Sequence, residues 1–188
     1  MLLLVMVGCR PAGAQLDENG RGELQDPGVI LHKMESTKYD EEYFKAVDLL
    51  REKRYEEVIA IYKELILKEE PQHVKHAYLG LASTYVLTGD LTQAIENYEA
   101  ALQRDSTDVV TYQGLSCAYY SKGDYAKALD YDLIALQFDS LNGDTHYGLA
   151  VSYDMLGNKE RAKHHAKICI ELLPNSDYRK YMEEIVGE

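Results

Sequence analysis

The chain has 188 residues, 46% hydrophobic and 28% charged, with 16 Tyr, 2 Phe, no Trp and a formal net charge of -12. That length and composition suit one globular domain with a real core. The acidity argues against a nucleic-acid ligand and against docking of the folded part on an anionic membrane, since both need clustered Lys and Arg. Every tyrosine lies at or after Tyr39, so the stretch before it is a different kind of segment.

In chain order, residues 1–14 read as an export segment. Leu2 to Val7 is an apolar run that ends in Gly8-Cys9, followed by Ala12-Gly13-Ala14 before Gln15. Two export readings fit. In one, the run resembles a bacterial lipobox, with Met6 in place of its usual leucine and Cys9 as the acylated first residue. In the other, Ala12 and Ala14 are the small residues before a signal-peptide cut. A third reading is an apolar tail on a cytosolic protein. The run is shorter than the roughly 20 residues that span a bilayer. Residues 15–38 are rich in Gly, Asp and Glu, as in Glu18-Asn19-Gly20-Arg21-Gly22 and Asp26-Pro27-Gly28, and read as a flexible linker.

From residue 75 onward the chain repeats. Gly80, Gly114 and Gly148 lie 34 residues apart, each followed by a leucine: Leu81, Leu115 and Leu149. Tyr85, Tyr119 and Tyr153 keep that interval, as do Gly89, Gly123, Gly157 and Ala94, Ala128, Ala162. A period in this range signifies a solenoid whose units bury their apolar faces only against neighbours. In the copy at 75–108, Tyr78, Leu81, Ala82 and Tyr85 share one helical face. Gly89-Asp90 breaks that helix, and Ala94, Tyr98, Ala101 and Leu102 stripe a second.

The pattern Tyr78-x2-Leu81-Ala82-x2-Tyr85 with Ala94-x3-Tyr98 resembles the tetratricopeptide repeat. The resemblance covers residues 39–188. It implies an all-α helix-turn-helix solenoid of about four repeats: a degenerate one at 39–74, then 75–108, 109–142 and 143–176. In the worn copy Tyr55-Glu56-Glu57-Val58, Tyr62 and Leu65 match the second helix, while the first keeps only Ala46 and Leu49. In 109–142, Asp132 takes the aromatic slot of the second helix, and Tyr131 is expected to fill the gap. Residues 177–188 place Tyr178, Tyr181, Met182 and Ile185 on one face and are expected to form a capping helix.

No sequence feature supports an enzyme, a cofactor or a metal. Phosphate-loop, dinucleotide and nucleophile-elbow motifs are missing. His146 takes a large aromatic slot and is expected in the core, whereas His164-His165 are assigned to the outer surface. His73 and His76 lack a third ligand in register. Cys169 is expected in the core and Cys117 on the other helix of the preceding repeat, with no disulfide between them.

In the family resembled, the first helix of each repeat lines an inner, concave wall where partners dock. The resemblance therefore implies wall positions at His76, Leu79, Ser83, Val86 and Leu87, at Val110, Gln113, Cys117, Tyr120 and Ser121, and at Asp144, Tyr147, Val151, Asp154 and Met155. Members that bind chaperone C-termini use Lys, Arg and Asn there, and these positions carry none. Leu79, Val86, Leu87, Tyr120, Tyr147, Val151 and Met155 form an apolar and aromatic strip suited to an amphipathic or extended peptide. The glycines before each leucine are expected to let a partner backbone approach. The competing use of the strip is burial within the chain or self-association.

The expected function is a non-enzymatic scaffold for a protein or peptide partner, exported to the periplasm or cell envelope. Membrane attachment would come only through a lipid on Cys9. The alternatives are a cytosolic adaptor or co-chaperone and an accessory subunit of an enzyme complex.

Overall fold

The structure, a computed structural model, describes residues 14–16, 22–24, 38–68 and 71–187. Cys9 and the export segment before Ala14 lie outside the described residues. Two short strands, β1 (Ala14–Leu16) and β2 (Gly22–Leu24), precede nine described helices. These are α1 (Lys38–Arg51), α2 (Tyr55–Leu67), α3 (Pro71–Thr88), α4 (Leu91–Leu102), α5 (Val109–Ser121), α6 (Tyr125–Phe138), α7 (Gly143–Met155), α8 (Lys159–Leu172) and α9 (Arg179–Gly187). Across the junction of the export segment and the stretch read as a linker, β1 and β2 pair antiparallel, with Ala14 opposite Leu24 and Leu16 opposite Gly22. A ladder of this length is marginal without further packing.

Gly-Asp and Gly-Asn pairs set the turns within the α3–α4, α5–α6 and α7–α8 pairs. Gly89, Gly123 and Gly157 take φ of 84, 83 and 77°, the left-handed conformation that side chains disfavour. The next residue caps the second helix. Asp90 accepts from the Gln93 N–H, Asp124 from Lys127 and Asn158 from Arg161. Each such cap contributes about 1 kcal/mol. First helices are capped likewise, Asp108 accepting from Thr111 N–H at 2.8 Å and Asn142 from Thr145 N–H at 3.0 Å. In the worn copy the glycine slot holds Lys53 at φ 59°, and Arg54 follows as an N-cap without a side-chain cap bond.

The chain divides into two compact units. In Gly13–Ser106, α1 packs on α2, α2 on α3 and α3 on α4. Its core includes Ala46, Leu49, Val58, Tyr62, Leu65, Leu81, Ala94 and Tyr98. The worn repeat therefore forms its helix pair with Ala46 and Leu49 buried, and α2 packs on the next first helix. In Thr107–Glu188 the pairs α5–α6, α6–α7, α7–α8 and α8–α9 pack in succession, and α7 also touches α5 and α9. There Leu149, Ala150, Tyr153, Ala162, Ala166 and Cys169 close a core with Met182 and Ile185 of α9. Ala94, Ala128 and Ala162 are fully buried, so the small side chain lets each helix pair approach closely.

Tyr131 fills the gap beside Asp132, stacking on Tyr119 at 5.4 Å and lying 6.4 Å from Tyr112. The Asp132 side chain itself is only 2% exposed. Cys169 is buried and Cys117 half-buried, and both are free thiols. Burial pushes the Cys169 thiol up to about 12, where it behaves as a small hydrophobe.

Candidate functional site: the faces of the first helices

On α3 the expected wall residues range from half-buried to exposed. Leu79, Ser83 and Val86 are half-buried, whereas His76 is exposed and Leu87 is 45% exposed. The Ser83 hydroxyl hydrogen-bonds the Tyr98 hydroxyl at 3.1 Å, which ties α3 to α4.

The second unit brings two such faces together, because α5 and α7 pack side by side. The Gln113 amide joins them, donating to Asn142 Oδ1 at 2.7 Å and to Thr145 Oγ1 at 3.0 Å. Since Asn142 Oδ1 also caps α7, this bond orders the wall and the helix terminus at once. Tyr120 is half-buried with its ring 5.1 Å from that of Tyr125. Val110 and Met155 stand 44% and 43% exposed at the start of α5 and the end of α7. Ser121 is exposed and Cys117 half-buried.

Two expectations for this wall, on Val151 and on the glycines, need correction, and the one on Tyr147 is extended. Val151 is 5% exposed and belongs to the core cluster, so it supports the wall from beneath. Tyr147 stacks on Tyr178, centroids 4.2 Å apart, so the segment leading into α9 is part of the surface. The glycines open no space for a partner backbone at the two positions where the gap is defined. A Cβ on Gly80 would collide with the Tyr62 ring, and one on Gly148 would sit 2.5 Å from Asp132 Oδ2. Their gaps are filled from within by the preceding second helix.

Carboxylates flank the α7 face. Asp144 lies in its first turn and accepts a hydrogen bond from Tyr178. Although the residue is exposed as a whole, its carboxyl is closed in enough that burial raises its pKa, with Tyr178 pulling the other way. Asp154 is bridged by Lys159 at 2.8 Å. Tyr178 was missed in the sequence as a wall residue because its apolar-face register marked it only as part of the cap.

The histidines depart from expectation at one position. His146 is 4% exposed, as its aromatic slot requires, and His164 is exposed. His165, however, is half-buried, stacked on Tyr153 and bonded Nδ1 to Nδ1 with His146 at 2.9 Å. His146 Nε2 lies 3.2 Å from the Ser140 carbonyl, which can only accept. In the neutral pair His146 therefore carries its proton on Nε2, and His165 Nδ1–H donates. Burial first, and then the charges of His146, His164 and Arg161, lower the His165 pKa to about 4. Among the described residues no group of three or more His, Cys, Asp or Glu could hold a metal ion. No described helix is long and apolar enough to cross a membrane.

A recess of about 330 Å³ in the first unit, lined by Lys63, Ile66, Leu67, Tyr78, Leu81, Gln93 and Asn97, contains none of the expected wall residues.

Models of the tetratricopeptide repeat match residues 75–108 and 144–176. No curated protein sequence matches the chain. Among solved structures, a thermophilic TPR protein of Thermus thermophilus is similar at 23% identity and TM-score 0.67, over 78% of this chain and 80% of that one. MamA is similar at 21% identity and TM-score 0.66, over 82% and 83% of the two chains. The first TPR of Spaghetti (RPAP3), bound to the HSP90 peptide SRMEEVD, is similar at 20% identity and TM-score 0.53, over 56% and 85%. At these identities the likeness concerns the fold, which is consistent with a protein–protein interaction scaffold. With repeats matched at 75–108 and 144–176, a third copy in phase between them and helix pairs among the described residues, the chain is an all-α tetratricopeptide repeat solenoid.

Proposed function

We propose that this chain is a non-enzymatic scaffold that holds a protein or peptide partner against the faces of its first helices, in a bacterial cell envelope. The observation that carries the reading is the α5–α7 face. It keeps Val110 at the start of α5 and Met155 at the end of α7 exposed, with Tyr120 and Tyr147 half-buried, on a framework fixed by the Gln113 hydrogen bonds. A rigid wall with apolar positions left in water suits an extended or amphipathic segment. That a similar fold, the first TPR of Spaghetti, is bound to a peptide supports the same reading.

The test is site-specific photo-crosslinking in the native cells. A photoreactive residue at Val110 or Met155 is expected to trap one discrete protein, and the same residue at the exposed Lys167 of α8 is expected to trap none. Adducts only at Lys167 would move the binding face to the second helices. The envelope assignment rests on the apolar run and Cys9. Intact mass of the mature chain should show an acylated Cys9 or a start at Gln15. A chain that retains Met1 would favour the cytosolic adaptor.

A further inference from the structure

We propose that the segment docking on the α5–α7 wall is cationic, presenting arginine or lysine between apolar residues; this rests on reading that wall as a peptide-binding face. Neither helix offers a positive charge to a ligand. α5, Val109–Ser121, contains no Asp, Glu, Lys, Arg or His, and the nearest cation in sequence, Lys122, is its C-terminal cap residue. α7 carries Asp144 and Asp154 as its only acids, and its one basic side chain, His146, is 4% exposed.

The acids and the aromatic ring share one stripe. Asp144, Tyr147 and Asp154 lie three and seven residues apart, which places them on one face of α7 over the buried Val151. At one end Tyr147 is stacked on Tyr178, and Tyr178 donates to Asp144. A paired aromatic surface beside a carboxylate attracts a guanidinium or ammonium twice over, through the ring quadrupole and through charge. The Asp144 carboxyl is held partly desolvated, and a neighbouring cation would offset that cost. At the other end an ammonium is already seated, since Lys159 bridges Asp154 at 2.8 Å. The net charge of -12 draws a basic segment from a distance and repels an acidic one. An acidic C-terminus such as SRMEEVD would find no cation on these two helices.

The experiment uses the full chain and three labelled dodecapeptides of one frame, alternating leucine with arginine, serine or glutamate, read by fluorescence anisotropy. The arginine peptide is expected to bind at least about tenfold tighter than the glutamate peptide at low salt, with the gap closing as salt rises. Asp144→Asn should weaken the arginine peptide about two- to fivefold. Lys159→Gln should tighten it by releasing Asp154, and Glu160→Gln on α8 should leave it unchanged. If the serine peptide binds as tightly and Met155→Ser weakens both, the cationic assignment fails while the wall reading stands. Arginine-peptide binding indifferent to Asp144→Asn would mean general adherence to an acidic surface and would overturn the proposal. Failure of all three peptides to bind would overturn the proposal and count against the wall as well.

Discussion

Lys53 occupies the slot that Gly89, Gly123 and Gly157 fill in the later repeats, and it adopts the same left-handed backbone at φ 59°. A side chain there costs about 1–2 kcal/mol relative to a right-handed conformation. Glycine would remove that strain but adds about 0.4–1 kcal/mol of unfolded-state entropy. Lys53→Gly should therefore stabilise the protein by about 0.5 kcal/mol, seen as a higher urea midpoint at constant slope. Gly80 runs the other way. Alanine would gain about 1 kcal/mol of helix propensity, but its Cβ would collide with Tyr62, which is 2% exposed and cannot swing away. Overpacking of that kind costs about 1–3 kcal/mol, so a net loss of up to about 2 kcal/mol is expected from Gly80→Ala. An unchanged urea midpoint would mean that the ring yields. The interval between these glycines was plain in the sequence, but what fills their gaps was not. The occupant comes from the preceding second helix, Tyr62 in one case and Asp132 in the other, and its reach depends on how the helices pack.

At the scale of elements, α9 shows how far periodicity carries. One face of the segment read as apolar, and the structure buries Met182 and Ile185 while leaving Tyr178 and Tyr181 half-buried. The first two close the core over Ala166 and Cys169. Met182→Ala should cost about 2–5 kcal/mol, the range for a fully buried methionine. Against a total stability of about 5–15 kcal/mol this is a large share, and thermal melting would show it. A transition within a degree of wild type would mean that α9 is not part of the cooperative unit. Tyr178, just ahead of that helix, has a second task that the pattern did not reveal. A residue of an apolar stripe can stay half-buried and stack on a neighbouring first helix, as Tyr178 does on Tyr147. The worn repeat marks the opposite limit. Its first helix kept two matching residues, yet it is seated by Ala46 and Leu49 together with buried Val47 and the Tyr43 ring against Tyr62, contacts the repeat pattern did not mark.

For the whole molecule, two electrostatic effects oppose each other on acidification. The chain carries a net charge of -12 at pH 7 and has a pI of about 4.9, so protonation toward pH 5 relieves repulsion and favours the compact state. His165 acts in the other direction. Its native pKa is lowered to about 4 from the ordinary 6.5, chiefly by burial and then by His146, His164 and Arg161. The unfolded chain therefore takes up a proton below about pH 6.5 that the native chain refuses. The stability this ring contributes is full above that pH and falls until about pH 4. Discounted for its partial exposure, the loss is about 1–2 kcal/mol. Wild-type stability alone cannot separate the two effects, since charge relief masks the histidine. A comparison with His165→Gln at each pH does, because both proteins share nearly the same field. The variant should be less stable than wild type at pH 7, where it lacks the bond to His146, and the gap should narrow by about 1–2 kcal/mol by about pH 4.5. Curves that stay parallel across that range would show that folding does not change the ring's proton affinity.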